Sequence, residues 1–259
     1  MKKGSWRVSG YASFGLLFFI AACSLSAEDE HLTREEAVIT KTIDRAESVN
    51  SYKVEGGVFD DIVWRDGEKE YTHSLLSGVA TFDPQRGHYH LVEVQGINDT
   101  ETTVFTDEIY ENVDDIYVNY DHEGWGKADG YEYGETEYKA AINLLGGIEN
   151  MEEITIEETE NVYEVSYSAL DKVLYDLYEP ALSVIEDSIF VETREPEVFL
   201  RINKADYTVR EFTTKFFYEG ETESEAERVV KIEFRFDDIN EIKNIKIPDE
   251  VIEEAEQNE

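Results

Sequence analysis

VKIEFRFD, residues 230–237, sets apolar side chains at Val230, Ile232, Phe234 and Phe236 against polar ones at Lys231, Glu233, Arg235 and Asp237. A period of two belongs to a strand, and this clean a split means one face buried and the other wetted. The same pattern recurs upstream. Phe212, Thr214, Phe216 and Tyr218 alternate with Glu211, Thr213, Lys215 and Phe217, and Val198, Leu200 and Ile202 alternate with Glu197, Phe199 and Arg201. The C-terminal third therefore reads as antiparallel sheet, with Thr222–Glu225 as the hairpin between its last two strands.

Working back from there, residues 169–189 change the period to that of a helix. Leu170, Val173, Leu174, Leu177, Tyr178, Ala181, Leu182, Ile185 and Ile189 form one apolar stripe, with Pro180 set to kink or divide it. Strands are predicted near 152–158 and 161–167, and a short helix over 136–147 stopped by Gly146-Gly147. A tyrosine-rich loop is predicted after Trp125. Earlier strands are predicted near 52–64, 70–82, 88–96, 101–106 and 108–120, broken by polar turns such as Arg65-Asp66-Gly67. A first helix opens at Thr33, with Glu36 in capping-box position, and runs to about Asn50. About ten one-sided strands need cover for their apolar face. The economical arrangement is an α+β domain over 33–255, a strongly curved antiparallel sheet forming an unclosed β-barrel that cups two or three helices. Residues 256–259 read as a tail.

The 259 residues carry 60 Asp and Glu against 23 Lys and Arg, a formal charge of −37. A body this acidic repels phosphate backbones, so nucleic-acid binding is excluded as a function class. Charge at the N-terminus is the reverse: Lys2, Lys3 and Arg7 precede the uncharged run YASFGLLFFIAA, residues 11–22. That run is shorter than the roughly 20 residues a permanent membrane helix needs, and it reads as the core of a secretory signal over 1–22. It ends Ile20-Ala21-Ala22-Cys23, which resembles the bacterial lipobox. Cys23 is the only cysteine. As an acyl acceptor it would hold the mature chain to the membrane, with the acidic stretch 23–32 as a solvated tether. A monomer facing the cell exterior is expected.

The lipobox, an acid-led first helix ending in Ser51-Tyr52, the meander, Gly124-Trp125-Gly126-Lys127 and the closing Ile245-Lys246-Ile247-Pro248 together resemble a family of secreted lipoproteins of Gram-positive bacteria with no assigned role. Their architecture is similar to the LolA, LppX and LprG group of lipoprotein and lipid carriers. The resemblance spans about residues 33–255. It implies an unclosed barrel with a hydrophobic cup for acyl chains, on the outer face of the cell membrane, with no cofactor. The acidity departs from the basic or mixed surface expected of a carrier that docks on anionic lipid.

Residues for chemistry are sparse. His88 and His90 share one face of a predicted strand, but spacing fixes no third ligand, so no metal site is predicted. Asn119-Tyr-Asp121-His-Glu123-Gly124 imitates the start of a calcium loop, yet its twelfth position is Gly130. Adjacent acids such as Asp60-Asp61, Asp114-Asp115 and Asp237-Asp238 arise by chance at this composition. A wall-polysaccharide hydrolase, with Trp64, Trp125, Tyr131 and Tyr133 as sugar platforms, is the third choice. No nucleophile elbow, His-Glu-x-x-His or phosphate loop occurs, so no catalytic residue and no enzyme class is indicated. The leading expectation is binding of a lipid or other apolar molecule, lined by Leu174, Leu177, Phe212, Phe216, Val230, Ile232, Phe234 and Phe236. The alternative is an envelope interaction or sensing protein whose acidic surface meets a basic partner.

Overall fold

The computed structural model describes residues 33–98, 100–128, 135–148, 154–168, 190–220 and 227–258. Cys23 with the signal and tether, the long helix predicted over 169–189 with Leu174 and Leu177, the hairpin at 222–225, and Tyr131 and Tyr133 lie outside the described residues.

Among the described residues eleven strands form a single open antiparallel sheet. β1 (Ser51–Val63), β2 (Lys69–Phe82), β3 (Gln85–Ile97), β4 (Thr100–Asn112), β5 (Ile116–Tyr120) and β6 (Trp125–Ala128) are a meander outward from the centre. The chain then crosses to the opposite edge, with helix α2 (Glu135–Ile148) in the connection. It returns through β7 (Thr155–Glu158), β8 (Val162–Ser168), β9 (Phe190–Asn203), β10 (Val209–Gly220) and β11 (Glu227–Asp237), and β11 pairs with β1. The helix α1 (Arg34–Ala46) precedes the sheet and α3 (Asp249–Asn258) follows it. The class is α+β, as the alternation predicts, with eleven strands in place of about ten. Both edge strands are only four residues long, which limits the unpaired backbone offered to another chain.

Local signals explain most of these elements. At the start of α1, the Glu36 amide donates to Thr33 Oγ1 at 3.2 Å and the Thr33 amide donates to Glu36 Oε2 at 2.6 Å, the capping box that the sequence predicts. Arg34 pairs with Glu158 on the edge strand β7, anchoring that helix to the sheet. Lys204 reaches the same carboxylate, and its hydrogen bond is the largest cause that holds Glu158 below the ordinary carboxylate range.

Three differences from the predicted layout have clear causes. β4 is continuous across the break predicted near 107, and the chain turns instead at Asn112–Asp115. There Asn112 Oδ1 accepts from the amides of Asp114 and Asp115, an Asx turn whose asparagine was read as strand. β6 falls where the sequence predicts the start of a loop, because four residues show no period. Residues 256–258 of the predicted tail continue α3, whose Ala255 is buried. Its acids at Asp249 and Glu250 suit a helix N-terminus.

One contiguous hydrophobic core runs from β5 across the sheet to β8 and takes in α1 and α2. Its centre is aromatic. Tyr52 of β1 stacks on Tyr138 of α2 at 5.5 Å and meets Phe236 of β11 edge-on at 5.3 Å. Burial pushes the Tyr138 hydroxyl up to about 12, and its oxygen accepts the Val209 amide. Val38 and Ile39 bury the α1 side. A smaller cluster lies on the reverse face, because neighbouring residues of a strand point opposite ways. Ile116 and Val118 enter the main core, whereas Tyr117 joins Trp125, Val251 and Ala255 beneath α3.

Glycines seat the large rings of the core face. A Cβ on Gly78 would stand 2.4 Å from the Tyr89 ring and 2.5 Å from the His88 carbonyl oxygen. One on Gly56 would stand 2.8 Å from the Phe234 ring. Each glycine is the cross-strand neighbour of its ring, so the aromatic lies over bare backbone.

Candidate functional site

Register fixes the order of side chains across the core face of the central strands. Phe236 and Val54 stand opposite one another, then Phe234 and Gly56, Ile232 and Val58, Val230 and Asp60, and Arg228 and Ile62. On the other side of β11, Phe212 faces Phe234 and Phe216 faces Val230. The described members of the predicted lining therefore share one face, as their alternation requires. Phe212, Phe216, Val230, Ile232 and Phe236 are packed tightly, none more than 4% exposed, and only Phe234 is partly open. The first group is core in the ordinary sense.

The partly open apolar residues continue beyond that packed region. Phe234, Val58 and Leu91 are half-buried and lean on the core. Ser74 stands in the row of Val58 and Thr72 in the next, opposite Asp60, and the far end carries an ion pair, Arg228 with Asp60. Arg228 Nε donates to Asp60 Oδ1 at 2.8 Å and Nη2 to Oδ2 at 2.6 Å, a bidentate fork with the arginine side chain only 6% exposed. Asp107, opposite Leu91 in β4, is also buried, and burial holds its carboxyl above the ordinary range. Along β1 to β3 the core face thus passes from aromatic, through half-buried Val58 and Leu91, to polar, while β10 and β11 stay packed as far as Phe216 and Val230. An amphipathic molecule has the same sequence of surfaces.

On the reverse face, β3 and β4 bring together groups that the sequence leaves apart. His90 faces Glu108 and His88 faces Tyr110. His88 Nε2 lies 2.9 Å from Glu108 Oε1, and the His88 ring stacks on Tyr110 at 4.1 Å, nearly parallel. One ligand atom from each of His88, His90 and Glu108 lies within 4.8 Å of the others. Sequence reasoning found the histidine pair and missed Glu108. The register of the β3–β4 hairpin would have supplied it. Tyr110 continues to Trp125 at 5.4 Å, and Trp125 receives a hydrogen bond on its carbonyl oxygen from Asn258 Nδ2 at 2.7 Å. Gly124–Lys127 and Ile245–Pro248, far apart in sequence, therefore converge beneath α3, where Ile247 packs against the cluster that holds Trp125.

The apparent calcium loop is the β5–β6 turn. Asn119 Oδ1 accepts the Gly124 amide and Asp121 Oδ1 accepts the Thr106 amide, so two of its expected ligands shape the turn. Trp64 lies in a surface cavity of about 370 Å³ with Arg65, Asp66, Glu68 and Glu70. Among the described residues none of the predicted apolar lining borders it, and its acids suit no acyl chain. Among the described residues no helix is long and apolar enough to cross a membrane.

Comparison with curated proteins gives no match. A family model, described as a family of unknown function (DUF6612), matches residues 34–256, from the first residue of α1 into the last turn of α3. The chain belongs to that family.

Proposed function

We propose that this protein is an extracytoplasmic lipoprotein, tethered through acyl chains on Cys23, that binds a lipid or similar amphipathic molecule on the core face of its sheet. The observation that carries the reading is the half-buried strip of Phe234, Val58 and Leu91, each packed against the aromatic core, with Ser74 beside Val58 and Thr72, Asp60 and Arg228 in the rows beyond. An acyl chain laid on that strip gains apolar contact. A polar head at the far end meets the Arg228–Asp60 pair and the hydroxyls of Thr72 and Ser74. In this reading the sheet curves to cup its ligand between strands and helices. The lipobox supports the tether, since two acyl chains hold a protein to a bilayer where one is marginal.

The test is displacement of a dansyl-labelled fatty acid from purified protein. The fluorophore should brighten on binding, and Val58→Asp, which sets a charge in the middle of the strip, should weaken binding by roughly tenfold or more. Melting of the variant is followed alongside. Absence of any uptake by the parent protein would overturn the reading. Capture of a basic protein that weakens steeply with salt would favour the acidic-surface alternative instead.

A further inference from the structure

We propose that His88, His90 and Glu108 form a binding site for a divalent cation of the zinc class on the reverse face of the sheet. The site is independent of the proposed apolar strip, which occupies the opposite face.

Three observations support it. First, the donors are placed by backbone register. His88 and His90 are two apart on β3, so both rings project from one face, and Glu108 is the direct cross-strand partner of His90 on β4. A site on adjacent hydrogen-bonded strands is better held than one on a loop. Second, the spacing fits. Bonds of about 2.0–2.2 Å in tetrahedral geometry separate ligand atoms by roughly 3.3 Å. His88 Nε2 and Glu108 Oε1 are 2.9 Å apart, and the wider limit of 4.8 Å for the group is closed by rotating the exposed His90 ring. Third, the surroundings orient the ligands and favour a cation. The Tyr110 ring lies parallel to His88 at 4.1 Å and fixes its plane, and the Glu108 carboxylate supplies negative charge to the site.

The donor set selects the metal. Two imidazole nitrogens and one carboxylate suit zinc, nickel or copper, whereas calcium and magnesium prefer oxygen alone. His88 would take the metal through Nε2 as the neutral tautomer protonated at Nδ1, so a hydrogen bridging Nε2 and Glu108 gives way to the metal and the ring keeps one N–H, with no net change in its charge. Three protein ligands leave one coordination position for water or an external donor.

The experiment uses the full chain carrying Cys23→Ser, which removes the single thiol that would itself take zinc. After stripping with chelator, zinc is titrated by calorimetry and cobalt by visible absorption. The expected result is one equivalent of zinc, a cobalt band of low-symmetry coordination with nitrogen donors, and a higher melting temperature. His90 is exposed, so His90→Ala should leave melting of the metal-free protein unchanged and weaken zinc by more than roughly tenfold, the scale on which even outer-shell partners act. Glu108→Gln should weaken zinc in the same direction. Zinc binding that is unaltered in H90A, or displaced by an equal concentration of calcium, would overturn the proposal and reduce the cluster to a hydrogen-bonded surface pair.

Discussion

Phe236→Ala should destabilise the protein by about 4 kcal/mol, within the range seen when a buried phenylalanine is cut back to alanine. Phe236 is fully buried, and its ring meets Tyr52 at 5.3 Å, Tyr138 at 5.0 Å and Phe212 at 6.3 Å. Those partners come from β1, α2 and β10, so no single element can move to fill the space. The residue stands where β11 closes against β1, the one seam joining the two meanders. A loss of this size corresponds to a fall in melting temperature of roughly 10 °C for a chain of this length. Denaturation by urea checks the figure, with a lower midpoint and an unchanged slope. A loss below about 1 kcal/mol would mean that the aromatic centre is not a packed core.

Asp60→Ala is the second large effect, about 3 kcal/mol. The Arg228 guanidinium is nearly sealed from water and loses the carboxylate that takes two of its hydrogen bonds. The figure lies at the low end for a buried pair because the Asp60 side chain is 21% exposed, which lets solvent reach the site. The double replacement Asp60→Leu with Arg228→Met should recover most of the loss, since it removes the charge along with its partner. Equal instability of the single and double variants would show that packing, not the ion pair, sets stability at that end of the sheet.

The fold was legible where burial is one-sided. Val230, Ile232, Phe234 and Phe236 alternate because the core face of β11 is dry and its reverse is wet, and the register with β10 and β1 follows that division. Thr33 and Glu36 announced α1 through the chemistry of two side chains. Legibility failed where a segment is too short or too polar for a period to register. β6 has four residues, and its place depends on pairing with β5 and on cover from α3. The α3 helix buries only Val251 and Ala255, so acids outnumber apolar residues and hide its face.

The sites were legible to a smaller degree, for a related reason. His88 and His90 are neighbours on one strand and visible as a pair. Glu108 and Tyr110 join them only through a hairpin register that local sequence does not specify. The six described members of the predicted lining share one face, yet alternation reports burial without distinguishing a filled core from a ligand surface. Phe216 and Val230 prove fully buried, and half-open Phe234 belongs to the same alternation. Asp60 was dismissed as one of many adjacent acids, because its bidentate partner Arg228 is 168 residues away.

Native mass spectrometry of the full-length protein, extracted from membranes in mild detergent, tests the central claim most directly. The predicted spectrum has a chain beginning at Cys23 and carrying covalent acyl groups, with a further lipid that departs on gentle activation. A chain whose Cys23 thiol is unmodified, or an acylated chain with no associated lipid under any extraction condition, would contradict it.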